Sequence, residues 1–249
     1  GGIPVAHIHG GDRAEGVADE AMRHAISKLA HLHLAATTSS AKRLERMGET
    51  EIHVVGSPAL DELEMLGPLG DEAFESFGAP EVVMLLHPIG RHPEEEEHQA
   101  SIVLDAIDDR LLVLAPNADP GRQGILRAYE HREVRLVEHL PREMFVGLLR
   151  RVATSGGVLV GNSSAALIEG AALGLPAVDV GPRQAGRTRC NNVVHATGLT
   201  VDEVRHAIEG ARAIDRGTIT HEYGNGTAGI RIAALLATTT PRLRKQNAY

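Results

Sequence analysis

A single cysteine, Cys190, occurs in the 249 residues, so no disulfide can form within the chain and a cytoplasmic setting is the expected one. Tryptophan is absent and aromatic residues make up only 2% of the sequence. Ala, Val, Leu, Ile and Gly therefore carry the apolar content, which suits aliphatic strands packed against helices and disfavours a barrel or sandwich. Positive charge is short: 25 Lys and Arg against 33 Asp and Glu leave a formal charge of −8. General affinity for nucleic-acid phosphates is excluded on that ground. No run is long and apolar enough to span a bilayer, and Gly1-Gly2-Ile3-Pro4 does not open a basic segment followed by an apolar signal core, so no membrane partner is expected. What the sequence does have is 43% hydrophobic residues, enough for one large or two small cores.

Strand and helix signals alternate from the start. Pro4 to His9 reads as a strand, Asp19 to Ala30 as a helix, Leu32 to Thr37 as a strand, Ser40 to Met47 as a helix and Ile52 to Val55 as a strand, which implies a parallel sheet. The stretch from Gly67-Pro68 to Gly78-Ala79-Pro80 breaks this rhythm and is the expected linker, spanning 67–80. Beyond it, aliphatic runs at Val82–Leu86, Leu111–Ala115, Val134–Val137, Val158–Val160 and Ala177–Val180 alternate with helix-like segments beginning near Glu94, Arg122, Arg142 and Ser164. That describes a complete doubly wound domain over 81–249. The part before residue 67 offers three strands and opens directly on one, which points to a domain entered halfway; a small three-stranded appendage is the alternative.

Polar residues gather at the ends of these runs, where open α/β sheets place ligands. His7-Ile8-His9-Gly10-Gly11-Asp12 carries a carboxylate just past a strand, and Asp19 follows at a helix N-terminus, where a simple capping role is the plain alternative. Two carboxylates facing one cleft suit removal of a proton from carbon only if burial or mutual repulsion raises one pKa towards neutrality. His7 and His9 would share a strand face, but no third ligand follows at metal-site spacing, so no metal is assigned. Gly161-Asn162-Ser163-Ser164 is a strand-to-helix turn of the kind that binds phosphate, although capping alone explains one serine, and Glu169 reads either as an acceptor for ribose hydroxyls or as a solvated helix residue. Arg183, Arg187 and Arg189 cluster after another strand in an otherwise acidic chain, inviting an anionic ligand. His87-Pro88 and Asn117-Ala118-Asp119 place more polar groups along the same sheet edge.

Taken in order, His7 to Asp12, Asp19 to His31, His87-Pro88, Pro116 to Asp119, Gly161 to Ser164 with Glu169, and Gly181 to Arg187 resemble the hydrolysing UDP-N-acetylglucosamine 2-epimerases over nearly the whole chain. The resemblance implies two Rossmann-like domains in a glycosyltransferase-B-like arrangement, the first partial over 1–66, with a UDP-sugar between them and no cofactor. It implies Asp12 and Asp19 as catalytic carboxylates. It further implies Arg23, His24, His87, Asn117, Leu140, Ser163, Ser164, Glu169, Arg183 and Arg187 as substrate-binding positions, the backbone near Leu140 reading uracil. Family members carry a Gly-Thr-Arg-type strand turn and a further acidic residue ahead of the point where this sequence starts. A homo-oligomer, or a partner chain supplying about a hundred such residues, is therefore expected. Two departures stand out: the family usually has Glu where Asp12 stands, and Val-Thr where Ile89-Gly90 follows His87-Pro88. The implied reaction turns UDP-N-acetylglucosamine and water into N-acetylmannosamine and UDP. A UDP-sugar-binding subunit without turnover and a glycosyltransferase of the same architecture are the competing readings.

Overall fold

The computed structural model describes residues 2–14, 19–240 and 245, without the side chain of Asp19. The first three strands, β1 (Ala6–Ile8), β2 (Leu32–Ala35) and β3 (Ile52–Val54), form a parallel sheet with β2 in the middle, and α1 (Asp19–Leu29) and α2 (Thr38–Arg46) connect them. β2 is buried along its whole length, as a central parallel strand must be. The Thr37 hydroxyl accepts the Ser40 amide at 3.2 Å and so starts α2. β1 is shorter than the run from Pro4 suggests: proline has no N–H to give to a ladder, and pairing begins at Ala6.

Two 3₁₀ turns lead to α3 (Asp71–Ser76), which lies inside the segment expected as a linker. Its Phe74 is buried in the main core, so this stretch is packed rather than free-running. The second sheet follows: β4 (Val82–Leu85), α4 (Pro93–Asp105), β5 (Leu111–Leu114), α5 (Arg122–His131), β6 (Leu136–Val137), α6 (Arg142–Thr154), β7 (Val158–Gly161), α7 (Ser164–Leu167), α8 (Glu169–Ala172), β8 (Ala177–Val180), β9 (Val193–Ala196) and α9 (Val201–Arg212). Its strand order is β6-β5-β4-β7-β8-β9, and every paired strand is parallel. Side chains alternate between two apolar layers: Val83, Leu85 and Leu159 face one core, while Val82, Met84, Val158 and Val160 face the other. This is a doubly wound α/β fold.

The last helix, α10 (Ala228–Thr238), crosses back: Ile232 and Leu235 pack on Leu32, Leu34 and Val55 of the first sheet. Asp61 fixes the crossing, its carboxylate accepting the Ala228 and Gly229 amides at 2.8 and 2.6 Å at the positive end of the helix. Among the described residues no helix is long and apolar enough to cross a membrane.

Candidate functional site

Where the chain leaves β4 in one direction and returns to β7 in the other, the sheet has its topological switch, the place where such folds open a crevice at the strand ends. His87 follows β4 there and Asn162 follows β7. The Asn162 side chain locks the two ends together, its Oδ1 accepting the His87 amide at 2.7 Å and its Nδ2 donating to the His87 carbonyl at 2.8 Å. Its own carbonyl accepts from Arg183 Nη1 at 3.2 Å and Gln184 Nε2 at 2.8 Å, which draws in the loop after β8. From the other side the Asn117 amide donates to His87 Nδ1 at 3.1 Å. An Nδ1 that accepts must lack a proton, so His87 is neutral and its Nε2 carries a hydrogen to donate. Burial, then the neighbouring Arg183 charge, pulls the His87 pKa down to about 4 despite Asp119. Asn117 donates to Asp119 at 2.6 Å and keeps a buried Oδ1 with no hydrogen-bond partner among the described residues. His87, Arg183 and the Ser163-capped turn thus follow the ends of neighbouring strands of one sheet.

A consequence for stability follows from the His87 shift. Unfolded histidine takes up its proton below about pH 6.5 while the folded one resists until about 4, so stability present above 6.5 is lost as pH falls through that window. The effect amounts to about 2 kcal/mol by pH 5. His87→Asn keeps an acceptor for the Asn117 amide and is expected to flatten this part of the slope in urea unfolding at pH 7 and pH 5. An unchanged slope contradicts the assignment; His7, also lowered to about 4 by burial, maintains a residual one.

On the first sheet, His9 and Gly11 both adopt left-handed backbone, with φ of 59° and 78°. A Cβ on Gly11 would stand 2.2 Å from the Ser40 carbonyl oxygen, so only glycine permits the turn to press against α2. The turn buries Asp12 to 1% exposure. Its Oδ2 accepts from His9 Nδ1 at 2.9 Å, its Oδ1 from the Ser40 hydroxyl at 2.7 Å, and Arg187 Nη2 of the other sheet's loop stands 3.6 Å away. His9 Nε2 in turn meets the Ser57 hydroxyl at 3.0 Å. Burial alone would raise the Asp12 carboxyl, but the His9 hydrogen bond, the Arg187 and His9 charges and the Ser40 hydroxyl together bring it below its ordinary value. The buried carboxylate thus joins His9 and Ser40 of the first sheet to Arg187 of the second sheet's loop.

A sequence profile described as UDP-N-acetylglucosamine 2-epimerase matches residues 1–237. The chain belongs to the UDP-N-acetylglucosamine 2-epimerase family. It is 36% identical, over 99% of its own length and 68% of the relative's, to a hydrolysing UDP-N,N'-diacetylbacillosamine 2-epimerase of Legionella pneumophila. It is 31% identical to a UDP-N-acetylglucosamine 2-epimerase of Neisseria meningitidis, over 85% of this chain, and spans 58% of that relative. Among solved structures, the Methanocaldococcus jannaschii UDP-GlcNAc 2-epimerase in complex with UDP-GlcNAc and UDP superposes with a TM-score of 0.78 at 16% identity, covering 95% of this chain and 70% of that one. The Neisseria meningitidis UDP-GlcNAc 2-epimerase bound to UDP-GlcNAc gives 0.73 at 18% identity, with 95% and 70% covered. Two Rossmann-like sheets in the glycosyltransferase-B-like arrangement are therefore the fold of this epimerase-family chain.

The remaining expected site positions of this family member spread over both sheets. Ser163 caps α7, its hydroxyl accepting the Ala165 amide at 3.3 Å, and Ser164 opens that helix. Glu169 does not sit in the same helix: Ile168 breaks the path, and Glu169 begins α8 with its carboxyl raised by burial against the pull of Arg142, His9 and Arg187. Leu140 packs on the main core just before α6. On α1, His24 Nε2 lies 3.4 Å from Glu20 and the ring borders a hollow of about 300 Å³ with Arg43, Arg46 and Met47, while Arg23 holds a buried Nε with no hydrogen-bond partner among the described residues. Asp19 opens α1, and its side chain lies outside the described residues. Ser40, Ser57 and Arg43 carry no motif in the sequence; each is recognised only through a partner far along the chain.

Proposed function

We propose that this chain carries the UDP-binding sheet and part of the catalytic side of a hydrolysing UDP-sugar 2-epimerase, acting on UDP-N-acetylglucosamine or a UDP-sugar with a second acetamido group. The observation that carries the reading is the 36% identity, across nearly the whole chain, to an enzyme named for that hydrolysing reaction. The donor edge built by His87, Ser163 and Arg183 supports it, since a diphosphate needs positive charge and neutral N–H groups in the same place. In this reading a carboxylate removes the sugar C2 proton. The C1–C2 double bond forms as the C1–O bond breaks, and the electron pair leaves on the UDP β-phosphate. Water then adds at C1, and a proton returns to C2 on the opposite face. Asp12 serves as the fixed negative charge that keeps Arg187 beside the cleft, and Asp19 is assigned the proton. Glu169 is assigned the ribose hydroxyls, and Leu140 the uracil.

Arg183→Ala is expected to weaken UDP binding about 10- to 100-fold in calorimetry, the loss of one charge-assisted contact to phosphate. In deuterium oxide the free sugar should carry deuterium at C2; product lacking it would sink the proton-abstraction scheme. A second reading, a UDP-sugar-binding subunit without turnover, draws on the shielding of Asp12; binding of UDP with no UDP released from either sugar would select it. We assign the protein to the cytoplasm and to amino-sugar synthesis. A partner, whether another copy or a chain completing the first sheet, is assigned to the exposed apolar faces of β1 and α1, where Ile3, Val5, Ile8, Met22, Ile26 and Leu29 lie.

A further inference from the structure

We propose that Arg43 is a positioning residue that clamps the two sheets' loops into register, by holding the Gly11 carbonyl of the first and the Gly186 carbonyl of the second at the same time. Arg43 Nη1 donates to Gly11 O and Nη2 to Gly186 O, both at 2.6 Å. Both acceptors belong to glycines in left-handed turns, at φ 78° and 75°, so each turn presents its carbonyl in a way an ordinary residue would resist. Gly186 is further pinned by Arg13, whose Cδ would stand 2.8 Å from an added Cβ. The planar guanidinium fork suits two acceptors held at a fixed separation; a lysine ammonium, being a point charge on a flexible stem, satisfies one of them well.

The loop from Gly181 to Cys190 is anchored both to its own sheet and across to the first, with Tyr223 donating to the Thr188 carbonyl at 2.6 Å and Arg189 pairing with Asp179 as well, and this division makes the role testable. Arg183 and Gln184 are tied to Asn162, on their own sheet. Gly186, Arg187 and Thr188 are tied across to Arg43, Asp12 and Thr37, the last at 3.5 Å between hydroxyls. Removing the clamp therefore loosens the crossing half of the loop at Gly186, leaving it only the Asp12, Thr37 and Tyr223 contacts, and leaves the nucleotide half in place. Resting on the epimerase reading, this means that nucleotide affinity survives while the alignment of the catalytic side with the leaving group is lost.

The test compares Arg43→Met and Arg43→Lys with the unaltered chain. Amide hydrogen exchange over residues 185–189 is expected to speed up about 10-fold or more in Arg43→Met, and less in Arg43→Lys, while α2 and residues 162–164 keep their protection. The affinity for UDP should change less than about 3-fold, and kcat for UDP release should fall about 10- to 100-fold with KM little altered. Unchanged exchange at 185–189 overturns the clamp, whatever the kinetics. Faster exchange throughout α2 together with a lowered melting temperature overturns it too, since that marks a role in folding only. If the unaltered chain releases no UDP from either sugar, the epimerase reading fails, and loop exchange selective for residues 185–189 still supports the clamp.

Discussion

Asp12→Ala is expected to cost about 3–5 kcal/mol of stability, because it strips the counter-charge from Arg187, whose side chain is only 9% exposed, and removes the acceptor of both His9 and Ser40. Most of that cost is the penalty for leaving a cation buried alone, so it should not add to the cost of deleting the cation. Arg187→Met by itself leaves the carboxylate shielded but still hydrogen-bonded to His9 and Ser40, and should cost less. In the double variant Asp12→Ala/Arg187→Met the stranded charge is gone, and the total should fall short of the sum of the singles by more than about 1 kcal/mol. Urea unfolding of the four proteins gives the cycle directly; strictly additive losses would mean that the pair does not couple the sheets. Acid adds a second signature. The folded carboxyl sits below its unfolded value, so its stabilisation is present above about pH 4 and disappears as pH falls through the lowered folded value; Asp12→Asn should lose that part of the acid slope.

The parallel sheets were legible because most of their strands are short, largely aliphatic runs that alternate with helices. Val82–Leu85 and Val158–Gly161 could scarcely be read otherwise. β9 was not found, since Asn191 and Asn192 precede it, His195 interrupts it, and it is only partly buried at the sheet's edge. α10 has an apolar face plain enough in sequence, but nothing local says that Ile232 belongs on the first sheet; that is decided by Leu32, Leu34 and Val55, nearly two hundred positions earlier. The packing of α3 is a similar case: Gly and Pro at either end hide a Phe74 that fills the main core.

Site residues divide along the same line. His87, Asn117, Ser163 and Arg183 each follow a strand and could be picked out one at a time, because the strand ends of such sheets share one edge. Their mutual arrangement could not, since Asn162 joins His87 only if β4 and β7 are neighbours, which strand order alone decides. Asp12 shows the sharper limit. Its place after a strand and its nearness to His9, the strongest lowering influence on its pKa, were readable, but the further contributions of Arg187 and Ser40 were not, since sequence spacing does not connect them to it. Arg43 carries no motif at all; its meaning lies in two carbonyls from opposite ends of the chain.

The other large effect is expected from a single methyl group at the switch point, in Gly161→Ala. Gly161 pairs with Leu85 at the last register of the β4–β7 ladder and has a φ of 146°. An added Cβ would lie 2.1 Å from the Leu85 carbonyl oxygen and 2.6 Å from its carbon, and both are backbone atoms that no rotamer change can move aside. Relief requires β4 and β7 to part where Asn162 receives the His87 amide and where its own amide meets Leu85 O at 3.2 Å. Backbone strain and overpacking of about 1–3 kcal/mol each put the expected loss at about 4 kcal/mol. UDP affinity should fall with it by about 100-fold, since His87 and Arg183 are both registered through Asn162. Gly156→Ala is the control. It also has a positive φ, 86°, but nothing lies within 4 Å of its Cβ, so only the conformational cost of about 1–2 kcal/mol remains and nucleotide binding should be spared. Melting curves and UDP titrations of the two variants separate the cases, and a Gly161→Ala protein that binds UDP normally would show that the junction of β4 and β7 does not set the nucleotide edge.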